Sequence, residues 1–321
     1  MKSVLLTAAV LLLATPIATA APAVPIKPDG TVLPNETDPA ISTFNYPEAF
    51  YRPKANERGQ LFILLTGTNG KNPFGLRLSV NASLVGYHVI QPMYPDDIPA
   101  SICQNDENAD AFSEFRWAII EGGNSPHLRD PIPHAESIEN RTIKLLEHLD
   151  RKYPDQHWGQ FIKNGEIAWD KVAIGGMSQG GGHAALIATK HPVARVLCFG
   201  APKDYNLYWN SPAKWYESSV TPPSRYFAFN NTHDHQACNC RQELEILARL
   251  GVDKIGGVAD VDTDPPPYHH AHVLFTSWPG PDATIDSLPA HVSVIRDDLF
   301  DDKNHPLFRP VWIYMLTAPT E

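Results

Sequence analysis

The sequence predicts an α/β domain: a mostly parallel sheet with helices packed on both faces. Short continuous apolar runs alternate along the chain with longer stretches of helical spacing, the pattern of strands buried on both sides. One of these runs leads through a glycine-flanked serine into a helix-like stretch. The chain also has enough apolar residues, 43% of 321, to fill one large core.

The elements follow in order. Met1-Lys2, the apolar run from Val4 to Leu13 and Ala18-Thr19-Ala20 read as a secretory leader cut after Ala20. The mature protein is therefore expected to be secreted or periplasmic. No other stretch reaches the ~18 uncharged apolar residues of a membrane-spanning helix. Residues 21–57 are proline-rich, lack a sustained period and read as an extended arm. The motifs that carry chemistry belong to 58–321, a single domain with an irregular insertion at about 95–135.

Within that domain, Gln60 to Leu65 is a buried strand closed by Thr66-Gly67-Thr68-Asn69-Gly70. A helix over Phe74 to Leu84 and a strand over Tyr87 to Tyr94 come next. The insertion holds a helix at Phe112 to Glu121. Ile138, Ile143, Leu145, Leu146 and Leu149 repeat at helical spacing until Pro154. Strands follow at 172–174, 195–199, 225–229 and 272–276. Between them lie a helix after Ser178 and one from Arg241 to Leu250, stopped by Gly251. Pro306 to Leu316 reads as a terminal helix with Pro306 in its first turn.

A net charge of −10 argues against a nucleic-acid partner, which would need a basic face. Four cysteines suit an oxidising compartment without defining a disulfide framework. Cys198, inside an apolar run, reads as a buried thiol. Cys238 and Cys240 are too close to pair with each other, so a bridge from one of them to Cys103 is the expectation. Cys238-x-Cys240 beside His233 and His235 is the competing zinc reading, against the usual wider ligand spacing. Asn35, Asn81, Asn140 and Asn230 each begin N-x-Ser/Thr.

The chemistry centres on Gly176-Met177-Ser178-Gln179-Gly180. A serine hydroxyl becomes a useful nucleophile when it is exposed, aimed and paired with a base. A sharp strand-to-helix turn exposes it, and nearly bare residues two before and two after leave the turn room to form. Such sheets carry their sites beyond the carboxyl ends of the strands. The orienting acid and the base should follow the serine in that order. Asp234, past strand 225–229, is the leading acid and Asp204 its rival. His291, past the last strand, is the leading base and His305 its rival. His183 lies within the helix after the serine and is expected to pack there. Oxyanion donors are expected from the Gln179 N–H and from the 67–70 loop, at Thr68 or Asn69.

Together Gly176 to Gly181, the earlier glycine loop, Asp234 and His291 resemble the alpha/beta-hydrolase superfamily over about residues 58–317. More narrowly, Ser178-Gln-Gly-Gly-Gly-His183, Ala201-Pro-Lys-Asp-Tyr205, Ala290-His-Val-Ser-Val294 and Pro310-Val-Trp312 are similar to a group of secreted, poorly characterised hydrolases. The family's usual His-Gly before the oxyanion loop is Thr66-Gly67 here. The resemblance implies an alpha/beta-hydrolase fold and a Ser178–His291–Asp234 triad attacking an ester-like carbonyl, without a cofactor or metal. The resemblance implies no particular substrate; a small-molecule or polymeric ester is the expected partner. Two other readings use the same residues differently: a metal-dependent hydrolase built on His233, Asp234, His235 and the 269–272 histidines, and a binding protein on an inactive hydrolase scaffold.

Overall fold

The computed structural model describes residues 25–320. The leader expected at 1–20 lies outside the described residues. Nine strands form one sheet: β1 (Gly30–Val32), β2 (Glu48–Tyr51), β3 (Leu61–Leu65), β4 (His88–Gln91), β5 (Val172–Met177), β6 (Arg195–Phe199), β7 (Tyr226–Asn231), β8 (Val258–Asp260) and β9 (Val273–Thr276). Their spatial order is β1-β2-β4-β3-β5-β6-β7-β9-β8. From β4 across to β8 every pairing is parallel, and only β1 and β2 run antiparallel to their neighbours.

The continuous apolar runs have a two-residue period that composition hides. Leu61, Ile63 and Leu65 of β3 pack into one core, while Phe62 and Leu64 pack into a second on the opposite face. The same division separates Val196 and Cys198 of β6 from Leu197 and Phe199. Burying each such large side chain contributes roughly 1.5–3 kcal/mol. The first core is covered by α2 (Ala111–Ile120), α3 (Ile138–Lys152), α4 (Gln179–Lys190) and α5 (Cys240–Arg249). On the other side lie α1 (Leu76–Leu84) and α7 (Arg309–Thr317), near the short α6 (Ser287–Ser293).

Local chemistry sets the helix ends. Ser137 caps α3 by accepting from Asn140 N at 3.1 Å. Asn239 and Gln242 form a reciprocal capping box on α5, and Gly251 leaves that helix region at φ 76°. The proline in the first turn of the last helix is Pro310. Pro306, expected there, instead bridges to Phe300.

Two further expectations are corrected. The arm at 21–57 is not simply extended, because β1 and β2 pair and extend the sheet. β2 lacks the apolar signature since Glu48 is fully buried within it, accepting from Met93 N at 3.1 Å. The strand at 273–276 is the last in the chain, as expected, and β8, short and half-exposed beside Gly256 and Gly257, flanks it at the sheet's edge. Cys103 is not bridged to Cys238 or Cys240, and all four thiols are free. Cys103 is buried, with Sγ directed to the Ala111 carbonyl at 3.6 Å, and Cys198 is likewise a buried thiol. Of the four N-x-Ser/Thr asparagines, Asn81, Asn140 and Asn230 are buried and Asn35 is exposed.

Candidate active site

Ser178 stands between β5 and α4 at φ 53° and ψ −117°, a conformation that L-residues avoid. Its N–H donates to Phe199 O at 2.8 Å, tying the turn to the end of β6. The neighbouring chain comes too close for side chains here. A Cβ on Gly176 would lie 2.6 Å from Leu65 O, and one on Gly180 would strike the Leu65 and Thr66 carbonyls. The apolar strand supplies the straight approach, and the glycines let the chain reverse against β3.

The loop after β3 comes up beside this turn: a Cβ on Gly67 would sit 3.3 Å from Ser178 Cβ. The Thr68 hydroxyl donates to Gln179 Oε1 at 2.8 Å, and Ala100 N donates to the same oxygen at 3.1 Å. One side chain thus fastens the glycine loop and the insertion to the first residue of α4. The backbone N–H groups of the two candidates in this loop have different partners. Asn69 N–H is committed to Asp96 O at 3.0 Å, whereas no acceptor among the described residues takes that of Thr68.

His291 lies on α6 and is largely buried; its Nδ1 is 2.6 Å from Asp234 Oδ2. Asp234 follows β7 in a turn closed by its own N–H to Asn231 O at 3.0 Å, and its Oδ1 accepts from Gln236 N at 2.8 Å. Burial pushes the Asp234 carboxyl up, but the His291 bond, the nearby Lys203 charge and the Gln236 N–H outweigh it and hold it below the usual aspartate range. Gly200, at φ 54°, leaves room for the imidazole: a Cβ there would lie 3.1 Å from His291 Cε1 and Nδ1. Ser178, His291, Thr68, Asn69 and Gln179 all line one cavity of about 390 Å³, with Leu288 and Val292 on its apolar side.

The rival residues are engaged elsewhere. Asp204 binds the Arg116 guanidinium through two hydrogen bonds of 2.7 and 2.6 Å. His305 is exposed and lies 3.3 Å from Asp301. His183 is fully buried, its ring edge-on to Tyr94 at 5.3 Å. Burial, helped by the Arg116 charge, holds its pKa well below the ordinary histidine value.

The metal cluster expected as an alternative does not assemble. His233 Nε2 is 2.9 Å from Gly280 O, His235 is exposed, and His272 is buried with Nδ1 against Tyr226 O at 3.0 Å. Asp234 already serves His291. Among the described residues the grouping with metal-ligand reach is Glu121, Glu139 and His191, which line a different cavity.

Two charged groups had no site role in the sequence reading, although Lys203 falls within the Ala201–Tyr205 stretch that carries the resemblance. Arg116, on α2, lies beneath the serine turn and donates from Nη1 to Gln179 O at 2.9 Å; its partner Asp204 is 88 positions away. Lys203, beside Asp204 in the chain, has Nζ 3.0 Å from Asp234 Oδ2 and paired with Glu243. Both cations are buried, and both border the Ser178 cavity.

The mostly parallel sheet with helices on both faces and the serine turn between a strand end and a helix give the chain the alpha/beta-hydrolase fold. No family model and no curated protein matches the sequence. Similar solved structures include an alpha-beta serine hydrolase homologue from Coxiella burnetii, 14% identical over 70% of this chain and 83% of that one, with a TM-score of 0.38. An acetyl ester-xyloside bifunctional hydrolase from Caldicellulosiruptor lactoaceticus is 10% identical over 78% and 86%, with a TM-score of 0.39. A thermophilic esterase from Thermogutta terrifontis is 13% identical over 77% and 82%, with a TM-score of 0.37.

Proposed function

We propose that this protein is a serine hydrolase that cleaves carboxylic esters through an acyl-enzyme on Ser178. The observation that carries this reading is the 2.6 Å hydrogen bond between buried Asp234 and His291, which lines the same cavity as Ser178 on its strained turn. In the first step the Ser178 hydroxyl attacks the ester carbonyl carbon while His291 takes its proton. Asp234 accepts from Nδ1, fixing the tautomer and stabilising the imidazolium that forms. Backbone N–H groups of Gln179 and Thr68 receive the oxyanion. His291 then protonates the departing alkoxide, and the C–O bond breaks. Water, deprotonated by His291, attacks the acyl-serine; collapse releases the acid and returns the proton to Ser178. The proton and bond balance closes without a metal or cofactor.

The leader-like start supports a secreted or periplasmic location, and the partly open 390 Å³ cavity suits a small acyl group, free or at a polymer end. The direct test is labelling with a fluorophosphonate followed by an acyl-chain-length series on p-nitrophenyl esters. Wild type should label and turn over, insensitive to chelators. Ser178→Ala should lose labelling and drop turnover by at least about 10⁴-fold while keeping its melting temperature. Undiminished turnover in that variant would sink the nucleophile, and chelator-sensitive activity would point back to a metal.

A further inference from the structure

The serine-hydrolase reading leaves one buried cation unused. Lys203 is only 7% exposed, and Asp234 and Glu243 beside it are fully buried. Its ammonium group has three partners: Asp234 Oδ2 at 3.0 Å, Glu243 Oε1, and Cys238 O at 3.3 Å. The aspartate oxygen that Lys203 approaches is the same Oδ2 that receives His291 Nδ1. One carboxylate oxygen is therefore shared between the candidate base and a lysine.

We propose that Lys203, anchored by Glu243, is a positioning residue that keeps Asp234 ionised and aimed at His291, and so lets His291 act as a base in more acidic solution than an Asp–His pair alone would allow. This inference rests on the serine-hydrolase reading given above.

Electrostatics set the direction. A fully buried carboxylate facing only a neutral imidazole is pushed towards protonation, and a protonated Asp234 cannot stabilise an imidazolium. A cation at 3.0 Å opposes that protonation. The same positive charge opposes uptake of a proton anywhere on the Asp234–His291 pair, because it sits against the oxygen the two share. Glu243 keeps the lysine charged: burial alone would pull the Lys203 pKa down, but Glu243 and Asp234 outweigh it and push it above the ordinary lysine range. Burial lifts the Glu243 carboxyl in turn, and its contact with the Lys203 ammonium opposes that rise. The other facing groups leave the sign unchanged. On the Lys203 loop, Asp204 is neutralised by Arg116. From the segment entering α5, burial holds the Cys238 and Cys240 thiols above their usual range and so uncharged.

A packing role alone and this electrostatic role predict different pH behaviour. The readout is the rate at which a neutral fluorophosphonate labels Ser178 between pH 4 and 8, which follows the neutral fraction of His291 without requiring a known substrate. Lys203→Met removes the positive charge and should move the acid limb up by about one pH unit. Glu243→Gln keeps a hydrogen-bond partner for Lys203 but removes the negative charge, and should move the limb down by about half a unit. Shifts of opposite sign carry the proposal; unmoved limbs, or limbs moving the same way, overturn it. If Lys203→Met fails to fold with Glu243 left unpaired, Lys203→Met/Glu243→Gln removes both buried charges and should still move the limb up. Should wild type not label at all, the serine reading falls on its own. The downfield proton resonance of the His291–Asp234 bond then decides: opposite displacements in the two variants support the clamp, and no displacement refutes it.

Discussion

The candidate site has two halves held together in different ways, and adjacent residues of one loop serve each half. Asp204 turns towards the serine. It closes a pair with Arg116 in which both carboxylate oxygens are filled, Oδ2 also accepting from Trp215 Nε1 at 3.0 Å. Arg116 passes that rigidity on through Gln179 O, and Gly182 has no side chain where the guanidinium lies. Lys203 turns towards the base instead. It joins two carboxylates rather than one, and Glu243 Oε2 is left without a partner among the described residues. The Arg116–Asp204 pair is neutral, with both carboxylate oxygens filled, and fixes backbone, whereas the Lys203 cluster beside His291 carries excess negative charge. A closed pair suits geometry and an open cluster suits charge.

That contrast predicts that the halves fail differently. Asp234→Asn should have the largest effect, cutting turnover by about 10⁴-fold because the amide can no longer select the tautomer or stabilise the imidazolium. Stability should fall modestly, since Lys203 loses one of its two buried carboxylates while the amide oxygen can still accept from Gln236 N. Steady-state kinetics and thermal melts on one preparation measure both; an active Asp234→Asn would break the assignment of the histidine half.

Arg116→Leu comes next and should act on the other quantity. It leaves Asp204 buried and unpaired, which costs about 3–5 kcal/mol of stability. The check is urea unfolding, with a lower midpoint at unchanged slope. Arg116→Leu/Asp204→Leu should recover much of the loss, because replacing both members of a buried pair is far cheaper than orphaning one. If the single variant unfolds like wild type, the pair does not brace the serine turn.

The serine half was also the more legible in sequence. Its determinants are local: an apolar strand, glycines at fixed offsets and a helix, all within Val172 to Ala188. Chain order and strand-end placement also led to Asp234 and His291, whose side chains meet in the structure at 2.6 Å. What stayed hidden depends on distant pairing. Glu48 masked β2 because a buried carboxyl interrupts the apolar pattern, and β8 is too short and exposed to show a period. Arg116 looks like any other charged residue of the chain, and the Ala201–Tyr205 stretch gives Lys203 no role, because their partners lie 88, 31 and 40 positions away. Thr68 and Asn69 could not be told apart until the Asp96 carbonyl took one of the two N–H groups.

Asp96 extends the contrast to pH, where the expected effect is smallest. Its carbonyl holds the glycine loop of the serine half, and its carboxyl is buried with Oδ2 unpartnered among the described residues. Burial, with Asp97 adding to it, pushes that carboxyl from an ordinary 3.8 up to about 7. Glu48, buried against Met93, rises from 4.5 to about 8 for the same first reason. Groups raised in this way favour the folded state below their unfolded values, and that contribution is lost as pH climbs through 7 and 8. Asp234 has the opposite sign: held low by His291 and Lys203 against its burial, it stabilises the fold above 3.8 and loses that contribution as pH falls through its folded value. The melting temperature should therefore be highest in mildly acidic buffer, declining by a few degrees towards about pH 8 and more steeply below about pH 4. Asp96→Asn should flatten the alkaline decline and leave the acid one in place. An unchanged alkaline decline in that variant would mean that the carboxyl beside the glycine loop is already ionised in the folded protein.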